Sequence, residues 1–76
     1  PHSYLRIRGQ MMTFPSEEFL DLLREVGVRF IVVHRQGYGP NQWSRFQMRM
    51  AEVRSGSLRE VVAFDGDTVY ELMSRR

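Results

Sequence analysis

The stretch TFPSEEFLDLLREVGVRFIVVH, residues 13–34, constrains the fold more than any other part of the chain. Ser16 is a good helix N-cap, and the two glutamates that follow it suit the positive end of a helix dipole. Apolar residues then recur at helical spacing until Gly27, a residue type that ends helices in the left-handed conformation. The stretch therefore predicts a helix that leads directly into an apolar strand.

The two predicted elements differ in how they bury their apolar residues. The strand, residues 28–34, is apolar on both faces, which is typical of a central strand that is covered on both sides. The helix has one apolar stripe at positions i, i+3, i+4 and i+7, formed by Phe19, Leu22, Leu23 and Val26.

A second helix and a hairpin are predicted in the rest of the chain. A glycine- and proline-containing loop, residues 35–41, precedes a helix over residues 42–54. Residues 58–64 and 68–73 then form two strands, because Asp65-Gly66 supplies the positive φ angles that a tight hairpin turn needs. The apolar stripe of the second helix is formed by Trp43, Phe46, Met50 and Val53.

The first segment is ambiguous. Leu5 and Ile7 alternate with arginines, as in an edge strand, whereas Tyr4, Leu5, Met11 and Met12 have a helical spacing. We predict a helix or irregular structure here. The whole chain is then one small α/β domain of the mixed α+β kind, residues 1–76. About three strands form a small mixed sheet with helices, in the order helix-like, helix, strand, helix, strand, strand.

Composition limits the possible sites and compartments. The chain has no cysteine, which excludes a disulfide framework and a thiolate zinc site, and its two histidines are far apart in sequence. We therefore predict neither a metal nor a cofactor.

The longest apolar run, residues 30–33, is far shorter than the roughly 20 residues of a membrane span, so we expect a soluble piece. The start at Pro1 suggests a fragment of a longer protein.

The charge pattern argues against nucleic acid as the main partner. All eleven basic residues are arginine, but they are scattered among nine acidic residues and the net charge is only +2. A basic and aromatic surface formed by Tyr4, Arg6 and Arg8 keeps weak nucleic-acid binding as a third hypothesis.

Five residues at or beyond the carboxyl end of the predicted central strand form the candidate ligand site. Ligands of open α/β sheets bind at this end, and an aromatic loop beside a histidine suits a sugar or a base. The alternative is that the histidine caps the strand while the two aromatic residues pack as a small loop core. No catalytic set is recognisable, since Ser44 follows no nucleophile elbow. The five candidates are His34, Arg35, Tyr38, Asn41 and Trp43.

Several motifs resemble a pattern in bacterial membrane proteins. They are P-x-S-Y at residues 1–4, TFPS at 13–16, LLREVGVRFIVVHRQGY at 22–38, the Gln42-Trp43 pair and VVAFDGDTVYEL at 61–72. Together they resemble the soluble C-terminal domain of large polytopic proteins of the GT-C, or dolichyl-phosphate-mannose-dependent, glycosyltransferase type. Many of these are described as uncharacterised membrane proteins.

The resemblance implies a location and a supporting role. The family's catalytic carboxylates lie in extracytoplasmic loops near its first membrane spans, and no residue of this chain corresponds to them. The resemblance therefore implies a non-catalytic extracytoplasmic domain of a protein in the cell membrane. Such a domain would meet the membrane-embedded remainder of its parent chain and help to shape a site for a glycan or a lipid-linked sugar. His34 matches the histidine of the pattern.

A second hypothesis comes from a different functional class. The chain contains five methionines and nine aromatic residues, some of which are free to face a partner. It would then be a free-standing protein–protein interaction module.

Overall fold

The computed structural model describes residues 4–9, 14–53 and 56–74. These residues form four strands and two α-helices, with a short 3-10 helix, Arg35–Gly37, after the second strand. The elements are β1 (Tyr4–Ile7), α1 (Glu17–Glu25), β2 (Phe30–His34), α2 (Pro40–Glu52), β3 (Leu58–Phe64) and β4 (Asp67–Leu72).

The strands form one mixed sheet in the order β1-β2-β4-β3. β1 is parallel to β2, and β4 is antiparallel to both of its neighbours. The predicted class is confirmed, but the described sheet has four strands instead of about three. The prediction of a helix or irregular structure for the first segment is wrong for Tyr4–Ile7, because pairing with β2 selects the strand. Met11 and Met12 lie outside the described residues.

Helix α1 begins and ends where its local signals predict. The Ser16 hydroxyl accepts a hydrogen bond from the backbone N–H of Phe19 at 3.2 Å, and Gly27 has a φ of +92°. The predicted apolar stripe is wrong in part, since Leu22 and Val26 are 52% and 64% exposed. Leu23 is buried as predicted, and Leu20, which lies outside the predicted stripe, is buried too, so the helix is rotated from the predicted orientation against the sheet.

The second half of the chain also follows its local signals. α2 starts two residues before the predicted position, where the Gln42 side chain accepts a 2.8 Å hydrogen bond from the Gly39 N–H. The hairpin turn has positive φ angles at Asp65 and Gly66, 50° and 80°. A β-bulge interrupts the β3–β4 register between Glu60 and Val62.

Both helices cover the same face of the sheet, and topology explains why. β1-α1-β2 and β2-α2-β3 each connect parallel strands, and both connections advance across the sheet in the same direction. Crossovers of one hand therefore place both helices on one side. The buried core on that side consists of Ile7, Phe14, Leu20, Leu23, Ile31, Val33, Tyr38, Phe46 and Leu72.

The opposite side of the sheet, here named the open face, is not covered by any helix of the described residues. The prediction that β2 is covered on both sides is therefore wrong for this part of the chain. Strand register assigns side chains to the open face, since directly paired residues point to the same side. They are Tyr4, Arg6, Phe30, Val32, His34, Arg59, Val62, Phe64, Asp67, Val69 and Glu71.

Candidate functional site

The five predicted ligand-site residues lie on two sides of the sheet. His34 ends β2 on the open face, whereas Tyr38 is buried in the core beneath the helices. Arg35 and Asn41 are exposed, and Trp43 is half-buried against the core. The structure therefore brings Arg35, Tyr38 and Trp43 together but separates them from His34. Ligand binding by this set stays a prediction.

His34 has a partner that local sequence reasoning missed. Its Nδ1 lies 2.8 Å from an Asp67 carboxylate oxygen, and the two residues are directly paired across β2 and β4. The carboxylate holds the imidazole ring in one orientation, while Nε2 is buried and has no hydrogen-bond partner among the described residues. Asp67 reads as a turn residue in sequence, and only the β2–β4 register reveals the pairing.

The aromatic candidates form part of a packed cluster. The Trp43 ring stacks on Phe46 at 5.0 Å between centroids and meets Tyr38 edge-on at 5.3 Å. The Arg35 guanidinium carbon lies 4.6 Å from the centroid of the Trp43 ring, within cation–π range, and the Arg35 side chain donates to the Tyr38 carbonyl at 3.2 Å. For Tyr38 and Trp43, this is the loop-core arrangement that sequence analysis gave as the alternative.

A close backbone crossing holds the loop beside β1. A Cβ atom on Gly37 would overlap the Arg8 carbonyl, and one on Gly9 would overlap the Gly37 carbonyl, both at well under 3.0 Å. Gly9 also has a φ of +92°. The chain therefore needs glycine at both positions to bring the end of β1 against the segment that carries Arg35 and Tyr38.

One buried and one partly buried tyrosine couple the stability of the fold to alkaline pH. Burial raises the pKa of Tyr38, although the Gly9 backbone opposes the shift, and burial with the nearby Glu60 charge raises the pKa of Tyr70. In the unfolded chain these tyrosines release their protons at about pH 10, which is a lower pH than in the folded state. The stabilisation is complete below that pH and is lost as pH rises through the folded-state pKa values.

We expect the Tyr38→Phe and Tyr70→Phe variants to lose less stability than the unsubstituted chain between pH 8.5 and pH 11. The measurement is the free energy of urea unfolding at several pH values. The Tyr4→Phe variant is the control, because Tyr4 is 56% exposed. Equal losses in all four proteins would contradict the assignment.

A groove of about 650 Å³ lies at the other end of β2 from the predicted site. Its lining includes Arg24 of α1, Arg29 of the segment before β2, and Glu71 of β4. Arg24 donates to the Met73 carbonyl at 2.8 Å and to Asp21 at 2.6 Å. Glu71 accepts a hydrogen bond from Arg59. No local motif indicates this groove, since only the fold brings its residues together.

The described residues contain neither a grouping of metal ligands nor a membrane-spanning helix. Within 4–9, 14–53 and 56–74, no three His, Cys, Asp or Glu side chains are grouped as metal ligands would be. In the same ranges, neither helix is long and apolar enough to cross a membrane.

Comparison with known proteins finds no match to this chain among family models, curated proteins or solved structures. The resemblance to membrane glycosyltransferases therefore stays a prediction.

Proposed function

We propose that this chain is a non-catalytic extracytoplasmic domain of a glycosyltransferase-like integral membrane protein. In this proposal the open face packs against the membrane-embedded remainder of the parent protein. The observation that carries it is the apolar row at the centre of the open face, which polar residues border: Arg6, His34, Arg59, Asp67 and Glu71. The motif resemblance supplies the membrane context.

The centre of the open face is an unbroken apolar row. Val32 pairs with Val69, and Val69 pairs with Val62, so the row crosses three strands. Val62 is 45% exposed, and the flanking Phe64 and Tyr4 are 54% and 56% exposed. A contiguous apolar surface of this kind typically marks a contact with another protein surface or a membrane.

The size of the open face favours a partner in the same polypeptide. Four strands about 4.8 Å apart, with two outward residues in β1 and three in each of the others, span roughly 19 Å by 20 Å, or about 400 Å² in projection. A standard interface between free proteins buries about 800 Å² on each partner. A smaller contact suffices when a covalent link raises the effective concentration of the partner to about the millimolar range.

The sugar-related part of the proposal concerns the other side of the sheet. Because Tyr38 is buried, a glycan or lipid-linked sugar would meet Arg35, Asn41 and the accessible part of Trp43. The guanidinium and amide groups can donate hydrogen bonds to hydroxyl or phosphate oxygens. These residues would help to shape an acceptor site whose catalytic groups lie elsewhere in the parent protein.

Single cysteines can test the proposal, since the chain has none of its own. The Val69→Cys variant reports on the open face, and the Val26→Cys variant reports on the exposed surface of α1. Both are made in the longer reading frame, which is first sequenced for membrane spans, and in the isolated chain. Intact cells are treated with a membrane-impermeant maleimide.

We expect Val26→Cys to react from outside the cell and Val69→Cys to be protected in the longer protein but reactive in the isolated chain. If Val26→Cys reacted only after permeabilisation, the extracytoplasmic location would be wrong. Equal reactivity of both cysteines in the longer protein would disprove docking through the open face. A reading frame without membrane spans would leave the interaction module, the second candidate, as the function that the same apolar surface supports.

A further inference from the structure

We propose that the groove at the start of β2 binds a small organic anion, in which a phosphate or carboxylate group is carried on an apolar body. The groove, here named the Arg29 groove, has a volume of about 650 Å³, which is within the range of small-molecule sites. It lies at the opposite end of β2 from the predicted sugar site, and the proposal does not depend on the membrane location. Its lining includes Arg24, Val28, Arg29, Glu71, Leu72 and Met73.

Hydrogen bonds between separate elements fix the walls of the Arg29 groove. The Leu72 N–H donates to the Arg29 carbonyl at 2.7 Å, which joins the end of β4 to the residue before β2. Arg24 Nε donates to the Met73 carbonyl at 2.8 Å, which joins the last turn of α1 to the residue after β4. The Arg24 side chain is 16% exposed, so its guanidinium is held in place. A ligand therefore meets fixed walls, which lowers the ordering cost of binding.

Both arginines of the groove keep N–H donors for a ligand. Arg24 uses Nε for the Met73 carbonyl and Nη1 for Asp21, so its Nη2 has no hydrogen-bond partner among the described residues. Arg29 is exposed, and its side chain forms no hydrogen bond or ion pair with the described part of the chain. Guanidinium groups with available donors recognise carboxylate and phosphate oxygens through paired hydrogen bonds.

The acidic residues nearby do not cancel this charge. Asp21 pairs with Arg24, and Glu71 accepts a hydrogen bond from Arg59. These two pairs are neutral, so Arg29 contributes one positive charge in excess. The groove is therefore complementary to an anion and unfavourable for a cation.

An apolar part of the lining accounts for the body of the ligand. Leu72 is buried, and Val28 and Met73 are partly buried, so their side chains present limited apolar surface to the groove. An aromatic ring or short aliphatic chain can contact this surface while its anionic group meets the arginines. Inorganic phosphate lacks that contact and should bind more weakly.

Titration of the ¹⁵N-labelled chain with phenyl phosphate and with benzoate tests the site, because the two ligands share a ring and differ in the anionic group. We expect a dissociation constant of about 1 mM for the tighter ligand, with the largest amide shifts at Arg24, Gly27, Arg29 and Met73. Benzyl alcohol and inorganic phosphate, which each carry half of the proposed chemistry, should bind at least about fivefold more weakly. No shifts with about 20 mM of either acid would overturn the proposal, and so would equal binding of benzyl alcohol.

Substitution of Arg29 locates the contact without disturbing the fold, since this side chain is exposed. Arg29→Gln should weaken binding about tenfold or more, and Arg29→Lys should weaken it less, because it keeps the charge but loses the planar fork. Arg45→Gln is the matched control, since Arg45 is an exposed arginine of α2, and it should change binding less than twofold. Equal losses for Arg29→Gln and Arg45→Gln would overturn the proposal, because binding would then depend only on the overall charge.

Discussion

The Gly37→Ala variant is expected to be severely destabilised. The new Cβ atom would overlap the carbonyl oxygen of Arg8, a backbone atom that cannot move aside as a side-chain tip can. We expect a loss of at least about 3 kcal/mol. A domain of this size has about 4–11 kcal/mol of stability in total, at 0.05–0.15 kcal/mol per residue. Circular dichroism and urea unfolding measure the loss.

Gly27→Ala is the matched control. Gly27 has a φ of +92°, but a Cβ atom there would meet nothing within 4 Å. Its substitution therefore measures backbone strain without overlap, about 1–2 kcal/mol. Gly37 has the reverse combination, overlap without a positive φ. A loss at Gly37 no larger than that at Gly27 would show that the loop moves away from β1 at little cost.

Phe46→Ala is expected to cause the other large loss of stability, about 3–5 kcal/mol. Phe46 is 4% exposed and its ring lies 5.0 Å from Trp43, 5.4 Å from Tyr38 and 6.1 Å from Phe14. Removing the ring leaves a cavity where the loop, α2 and the segment before α1 meet. Urea unfolding followed by Trp43 fluorescence measures the effect.

Phe64→Ala makes the same chemical change on the open face, where the ring is 54% exposed. We expect a loss below about 1 kcal/mol at concentrations at which the chain is monomeric. Similar losses in the two variants would mean that the aromatic cluster is not the centre of the core.

Local signals predicted the parts of the fold that depend on neighbouring residues. Ser16 and Gly27 bound α1, and Asp65-Gly66 forms the hairpin turn. The Ser16 hydroxyl binds an N–H three residues away, and the other three residues act through their own backbone angles. The strand β1 and the rotation of α1 could not be predicted in this way. Both depend on contacts with β2 and the core, which lie far away in sequence.

The candidate site was likewise predictable where it depends on neighbouring residues, and not where it depends on residues far away in sequence. A position at or beyond the end of β2 was predictable from the strand pattern, since His34 ends that strand and the other four candidates follow it. The separation of His34 from Trp43 was not, because it depends on which face of β2 the helices cover. The His34–Asp67 contact joins residues 33 positions apart and needs the β2–β4 register. The Gly9–Gly37 crossing likewise requires two distant backbone segments.

The position of β4 has a consequence for how this protein is made. β4 is the last strand in the chain, yet it lies between β2 and β3 in the sheet. Until the ribosome has released β4, β2 and β3 have no common neighbour, and Leu72 is missing from the core. β1 and β2 can pair earlier, but the domain cannot complete its sheet until β4 has emerged. The exposed edge of β2 and the whole of β3 stay available to chaperones until β4 has emerged.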